Sequence, residues 1–156
     1  MTQELAGRHA LVTGGGRGIG AAIACALSEQ GARVTLLART AAQLAETAAG
    51  LPGESNTVIA DVTDAQQVEG AFAKVRERWG EIQILVNNAG KAVSRALAKS
   101  DTEFWQQVLA VNLSSVHYCT RAVLPTCSVT VRAGSSDPSA WRRITVNVPV
   151  GRLRNW

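Results

Sequence analysis

HALVT (9–13) followed by GGGRGIG (14–20) decides how the rest of this chain is read. The first five residues are an apolar run that stops at three consecutive glycines, which predicts a buried strand entering a tight loop. Ala21 to Gln30 supplies good helix formers, and Gly31 suits the left-handed conformation that closes a helix. In a strand, glycine turn and helix taken in that order, residues without a Cβ let the backbone approach a pyrophosphate. The helix N-terminus then stabilises its charge. The spacing is Gly14-xxx-Gly18-x-Gly20 rather than GxGxxG, and an ordinary glycine-rich turn is the plain alternative.

Outward from this turn the pattern repeats. Val34 to Ala38 is a second apolar run, Thr40 with Gln43 forms a capping box for a helix over Ala41 to Ala49, and Gly50 to Asn56 reads as a loop. Thr57 to Ala60 is strand-like, and Val68, Phe72, Val75 and Trp79 recur at helical spacing up to Gly80. Ile82 to Val86 is an unbroken apolar strand. Ser100 with Glu103 caps a long helical stretch through Phe104, Val108 and Val111 towards Pro125. Four short apolar strands alternating with amphipathic helices predict an α/β fold, a doubly wound parallel sheet of Rossmann type in the order 3-2-1-4.

At 156 residues, 46% hydrophobic and 18% charged, the chain fits one globular domain and excludes disordered, collagen-like and coiled-coil classes. No apolar run approaches the roughly 18 residues of a membrane span, and the start lacks a secretory layout, so a cytoplasmic location without membrane contact is expected. Cys25, Cys119 and Cys127 contain no CxxC pair, and with His9 and His117 they suggest neither a disulfide framework nor a metal site.

The net charge of +4 is unevenly spread. Residues 1–125 hold eleven basic and eleven acidic side chains. In 126–156, Arg132, Arg142, Arg143, Arg152 and Arg154 face only Asp137. Helical periodicity also ends after Pro125, so the chain divides into a domain at 1–125 and a divergent basic tail at 126–156. Within the tail, Ser128 to Arg132 alternates like a strand and is a candidate extra edge strand beside the fourth. Five scattered arginines without a basic helix or an aromatic platform place nucleic-acid binding last among the functions considered.

Dinucleotide folds that bind NAD usually carry an acid at the end of the second strand, where this chain has Ala38. Arg39 follows at once and Arg17 lies in the glycine loop. The two guanidinium groups can converge on a 2′-phosphate, which favours NADP(H) over NAD(H) unless both are solvated surface charges. Asp61, with Val62, ends the third strand. It can accept a hydrogen bond from an adenine amino group or cap the helix that starts near Asp64. In Asn87-Asn88-Ala89-Gly90 the tandem asparagines can bridge backbone groups or touch a ribose, while a turn needs only Asn88 and Gly90. Asn112, a poor helix former in mid-helix, either has a partner or task or is merely exposed. His117 and Tyr118 read as surface and packing residues.

Together, TGGGRGIG at Thr13 to Gly20, the Asp61-Val62 pair, NNAG at Asn87 to Gly90 and mid-helix Asn112 resemble the ordered motifs of short-chain dehydrogenases/reductases over about residues 5–125. Within that family the sequence looks like the 3-oxoacyl-carrier-protein reductase and 3-hydroxyacyl dehydrogenase type. The resemblance implies that Gly14, Gly18, Ile19 and Gly20 line the cofactor phosphates and that Arg17 and Arg39 select NADP. Asp61, Val62, Asn88, Ala89 and Gly90 then lie by the adenosine side, and Asn112 is the proton-relay asparagine.

It implies an oxidoreductase acting on a small carbonyl or alcohol substrate. The family's catalysis also needs a Ser and a Tyr-xxx-Lys, whose Lys lowers the phenol pKa. Ser135 is the nearest candidate Ser. The only tyrosine, Tyr118, is followed four residues later by Ala122, and no lysine follows Lys99. The expectation is a truncated, inactive chain with its oligomer interface largely missing and a tail that is divergent or out of frame. The alternative is a noncatalytic NADP-binding or regulatory module.

Overall fold

The computed structural model describes residues 3–93, 95–124 and 144–147. Five strands, β1 (His9–Thr13), β2 (Arg33–Ala38), β3 (Ser55–Ile59), β4 (Ile84–Asn87) and β5 (Ile144–Asn147), form one parallel sheet in the order β3-β2-β1-β4-β5. The helices are α1 (Gly18–Glu29), α2 (Ala41–Ala49), α3 (Ala65–Trp79) and, joined through a π turn at Ala110–Ser114, α4 (Thr102–Leu109) and α5 (Ser115–Val123).

The central strands β1 and β4 are buried along their length because helices cover both faces, while the outer β3 is only partly buried. Ala10, Val12, Val34, Leu36, Ile84 and Val86 pack on one side with Ala24 of α1 and Leu44 of α2. Leu11, Leu37 and Leu85 pack on the other with Val68, Phe72 and Val75 of α3 and Cys119, Ala122 and Val123 of α5. Arg76 of α3 ties that second layer together by donating to the Ala122 carbonyl at 2.6 Å. This is the doubly wound fold expected, with the central order 3-2-1-4.

The differences lie at the ends of elements. The first helix begins at Gly18 rather than Ala21, and Gly31 closes it at φ +86°. The third strand begins at Ser55, because pairing with β2 already starts at Val34↔Ser55. The fourth begins at Ile84, although Ile82 is buried ahead of it. Thr40 stands at the N-cap of α2, but its side chain makes no cap bond, so the expected capping box does not form. The last long helix is capped by Asp101, one residue beyond Ser100. The Asp101 carboxylate accepts from the Phe104 N–H at 2.7 Å and faces Arg95 at 3.7 Å, contacts a serine hydroxyl one residue earlier does not supply.

The edge beside β4 is held by Ile144–Asn147. The register runs Ile84↔Ile144 to Asn87↔Asn147, while residues 128–132 lie outside the described residues. Val129-Thr130-Val131 and Ile144-Thr145-Val146 are equally β-branched, so composition alone cannot choose between them. Among the described residues, no helix is long and apolar enough to cross a membrane.

Candidate functional site

The carboxyl ends of β1 and β4 lie side by side, with β2 on the far side of β1. Chains that leave adjacent parallel strands in opposite directions open a crevice at that point, and the glycine turn sits in it. Its walls are tied by a dense hydrogen-bond clamp. The Thr13 hydroxyl oxygen accepts from the Asn88 and Ala89 N–H groups, each at 3.0 Å, and its proton goes to the Val86 carbonyl at 3.3 Å. The Asn88 amide Nδ2 donates to the carbonyls of Thr13 at 3.0 Å and Gly14 at 3.2 Å. From the other side, the Gly14 N–H reaches the Leu37 carbonyl at 2.7 Å, and the Thr47 hydroxyl of α2 donates to the Gly16 carbonyl at 3.0 Å.

Two glycines are required by this geometry. Gly14 has φ +66°, and a Cβ there would stand 3.0 Å from both Ala89 Cα and Asn88 Nδ2. A Cβ on Gly20 would collide with the Gly14 carbonyl and come within 2.5 Å of Asn88 Nδ2. The turn is thus folded back on the start of α1, whose N-cap is the exposed Arg17 in extended conformation. Gly18 opens onto free space and Ile19 is 44% exposed at the rim. Backbone N–H groups at the start of a helix, beside the open position at Gly18, suit an anionic phosphate, so the residues present fit a dinucleotide.

The edge expected to face the adenosine is where β2 and β3 end together, with Ala38 paired to Ile59. Asp61 does not cap α3; Asp64 does, accepting from Gln66 and Gln67 N–H at 2.9 and 3.2 Å. The Asp61 Oδ1 instead accepts from the Thr63 N–H at 2.9 Å and hydroxyl at 2.7 Å, and its Oδ2 faces Arg39 at 3.6 Å. Partial burial pushes the Asp61 carboxyl up, but the Thr63 bonds and the Arg39 charge outweigh it and hold it below its ordinary value. Val62 is buried in the core. Ala89 also packs on that core, and Gly90 is exposed.

Asn112 has the partner its position called for. Its Oδ1 accepts from the Lys91 N–H at 3.0 Å, and its Nδ2 donates to the carbonyls of Lys91 and Val108, both at 3.1 Å. The bond to Val108, four residues back, competes with the helical ladder and lies in the π turn, where the Ser115 hydroxyl likewise donates to Val111 at 2.7 Å. Asn112 thereby fastens the segment after β4 to the α4–α5 run. Tyr118 is half-buried against the core and His117 exposed; Ser135 lies outside the described residues. Sequence reasoning missed the clamp role of Thr13 and the packing of Gly15 and Gly16, whose Cβ positions fall 2.8 Å from Leu36 and 3.1 Å from Gln43. The signal available was the strand-ending Thr and the glycine triplet itself.

A parallel sheet wound on both faces, with a glycine turn feeding a helix at the switch point, defines a Rossmann-type α/β protein. The family model described as short chain dehydrogenase matches residues 8–135, and the chain belongs to that family. It is 39% identical over 120 residues to the 3-oxoacyl-(acyl-carrier-protein) reductase of Escherichia coli, covering 76% of this chain and 48% of that protein. To the NADP-dependent (R)-specific alcohol dehydrogenase of Lentilactobacillus kefiri it is 40% identical over 124 residues, 78% of this chain and 49% of that one. Among solved structures, a short-chain type dehydrogenase/reductase from Mycobacterium marinum superimposes with a TM-score of 0.74 at 33% identity, over 78% of this chain and 50% of that one. The chain spans about half the length of the curated relatives it matches.

Proposed function

We propose that this chain carries the NADP(H)-binding part of a short-chain oxidoreductase for small carbonyl or alcohol substrates, and that these 156 residues bind the cofactor without turning substrate over. The observation that carries the reading is the end of β2. Ala38 stands where a ribose-binding acid would favour NAD, and Arg39 projects beside Asp61 at the same edge of the crevice. Arg17, exposed at the N-cap of α1, is a second cation for a 2′-phosphate. The glycine turn and α1 N-terminus would hold the pyrophosphate, and Asp61 the adenine amino group. NADPH, when bound, supplies the hydride for carbonyl reduction.

The names of two relatives, a 3-oxoacyl reductase and an NADP-dependent alcohol dehydrogenase, support the reaction class and the cofactor. The bonds of Asn112 to the Lys91 backbone support a role for it in holding the helix from which a proton relay would run. No Tyr-xxx-Lys exists in the sequence to deliver the proton. Fluorescence titration with NADPH and NADH tests the reading: NADPH binds more tightly, and Arg39→Asp reverses the order. Equal affinities, or tighter NADH, overturn the cofactor assignment. Oxidation of NADPH with any carbonyl substrate overturns the lack of turnover.

A further inference from the structure

We infer that Asp61 attenuates the selectivity for NADP(H) by acting as the resident counter-ion of Arg39, which makes it a positioning residue for that guanidinium. This inference rests on the cofactor reading above.

The two groups are unequally held. The Asp61 carboxylate is anchored: two hydrogen bonds from Thr63 occupy Oδ1, and the Asp61 N–H is bound by Gln67 Oε1 at 3.0 Å. Buried Ala60 and Val62 fix the backbone on either side. Its side chain is 32% exposed, while that of Arg39 is 77% exposed. An anchored anion and a largely exposed cation at 3.6 Å form a pair in which the arginine is the less constrained partner. Arg39 is therefore drawn across the β2–β3 edge towards Asp61, with part of its charge already compensated.

A 2′-phosphate arriving there meets an arginine it must share. Guanidinium has five donors, so Nε and the second amino group remain available when NH1 faces Asp61, but the carboxylate charge also opposes the incoming phosphate. Both effects act on the 2′-phosphate alone. Whatever Asp61 does for the adenine is common to NADPH and NADH and cancels in the ratio of their affinities, which isolates the effect of the residue 61 charge.

The test is titration of the full chain with NADPH and NADH for wild type, Asp61→Asn, Arg39→Ala and the double variant. Asp61→Asn keeps an acceptor for Thr63 while removing the charge. The expected result is a rise in the NADPH:NADH affinity ratio of about two- to fivefold, the scale of an exposed ion pair, and a smaller change when Arg39 is already Ala. If Asp61→Asn does not fold, Asp61→Ser gives the same readout. An unchanged or lower ratio, in a wild type that prefers NADPH, overturns the inference alone. A wild-type ratio at or below one overturns the cofactor reading, and this inference with it.

Discussion

Gly20→Ala tests the most crowded glycine among the described residues, and Gly70→Ala is its control. At Gly20 the added methyl meets the Gly14 carbonyl and stands 2.5 Å from Asn88 Nδ2. Relief requires Asn88 to give up its bonds to the Thr13 and Gly14 carbonyls, worth about 1 kcal/mol each, and residual overpacking adds about 1–3 kcal/mol. Alanine's better helix propensity returns about 1 kcal/mol. The net loss is then about 2–4 kcal/mol, or roughly 5–15 °C in Tm for a domain of this size. Gly70 lies exposed in the interior of α3 with nothing within 4 Å of its would-be Cβ. The same substitution there stabilises by up to about 1 kcal/mol. Thermal and urea unfolding followed by circular dichroism reads both, and NADPH titration of Gly20→Ala should show weakened binding as the turn opens. If Gly20→Ala melts no lower than the wild type, α1 does not rest against the glycine turn as described.

Thr13→Val leaves the Asn88 and Ala89 N–H groups without their shared acceptor and should cost about 2–4 kcal/mol in urea unfolding, with cofactor binding lost in parallel. A variant as stable as wild type would show that the hydroxyl is not the clamp. Burial, with the Arg33 charge adding to it, holds the His9 imidazole below its ordinary value of 6.5, against the pull of the Gly80 and Glu81 backbone. His9 is thus neutral in the fold, and the unfolded chain takes up its proton first. Its contribution is full above 6.5 and falls as the pH drops through 6.5 towards the lowered folded value. Urea midpoints from pH 8 to 5 should decline in that window and flatten in His9→Gln; identical slopes would refute the assignment. Burial pushes the Cys119 thiol up to about 12, so native alkylation mapped by mass spectrometry should spare Cys119 until urea is added.

The fold class was legible because the central strands β1 and β4 are apolar runs that end at Gly14 and at Asn87-Asn88, residues that mark a turn. HALVT and the Ile84 to Val86 stretch are buried on both faces, and such strands need no tertiary information to be recognised. The motif residues were legible for the same reason: Gly14, Gly20 and Asn88 are types that a close-packed turn demands. Their division of labour was not. Asn88 uses its amide on the backbone of the glycine turn, Asp61 turns to Thr63 and Arg39 while Asp64 caps α3, and Asp101 replaces Ser100 as a cap. Each choice is a competition between neighbours with equal local chemistry, decided by which group the packing brings within about 3 Å.

By itself, then, the sequence determined the periodicity, the strand order and the places where backbone had to come close, since these depend on side-chain volume, the presence of a Cβ and hydrophobic spacing along the chain. Only the tertiary structure decided which β-branched segment completes the sheet beside β4, which hydroxyl locks the crevice, and that Arg39 already has a carboxylate partner. Those outcomes join residues 22 to 76 positions apart or lie at an edge with two equivalent candidates. Distance in space, which no local pattern encodes, is what selects among them.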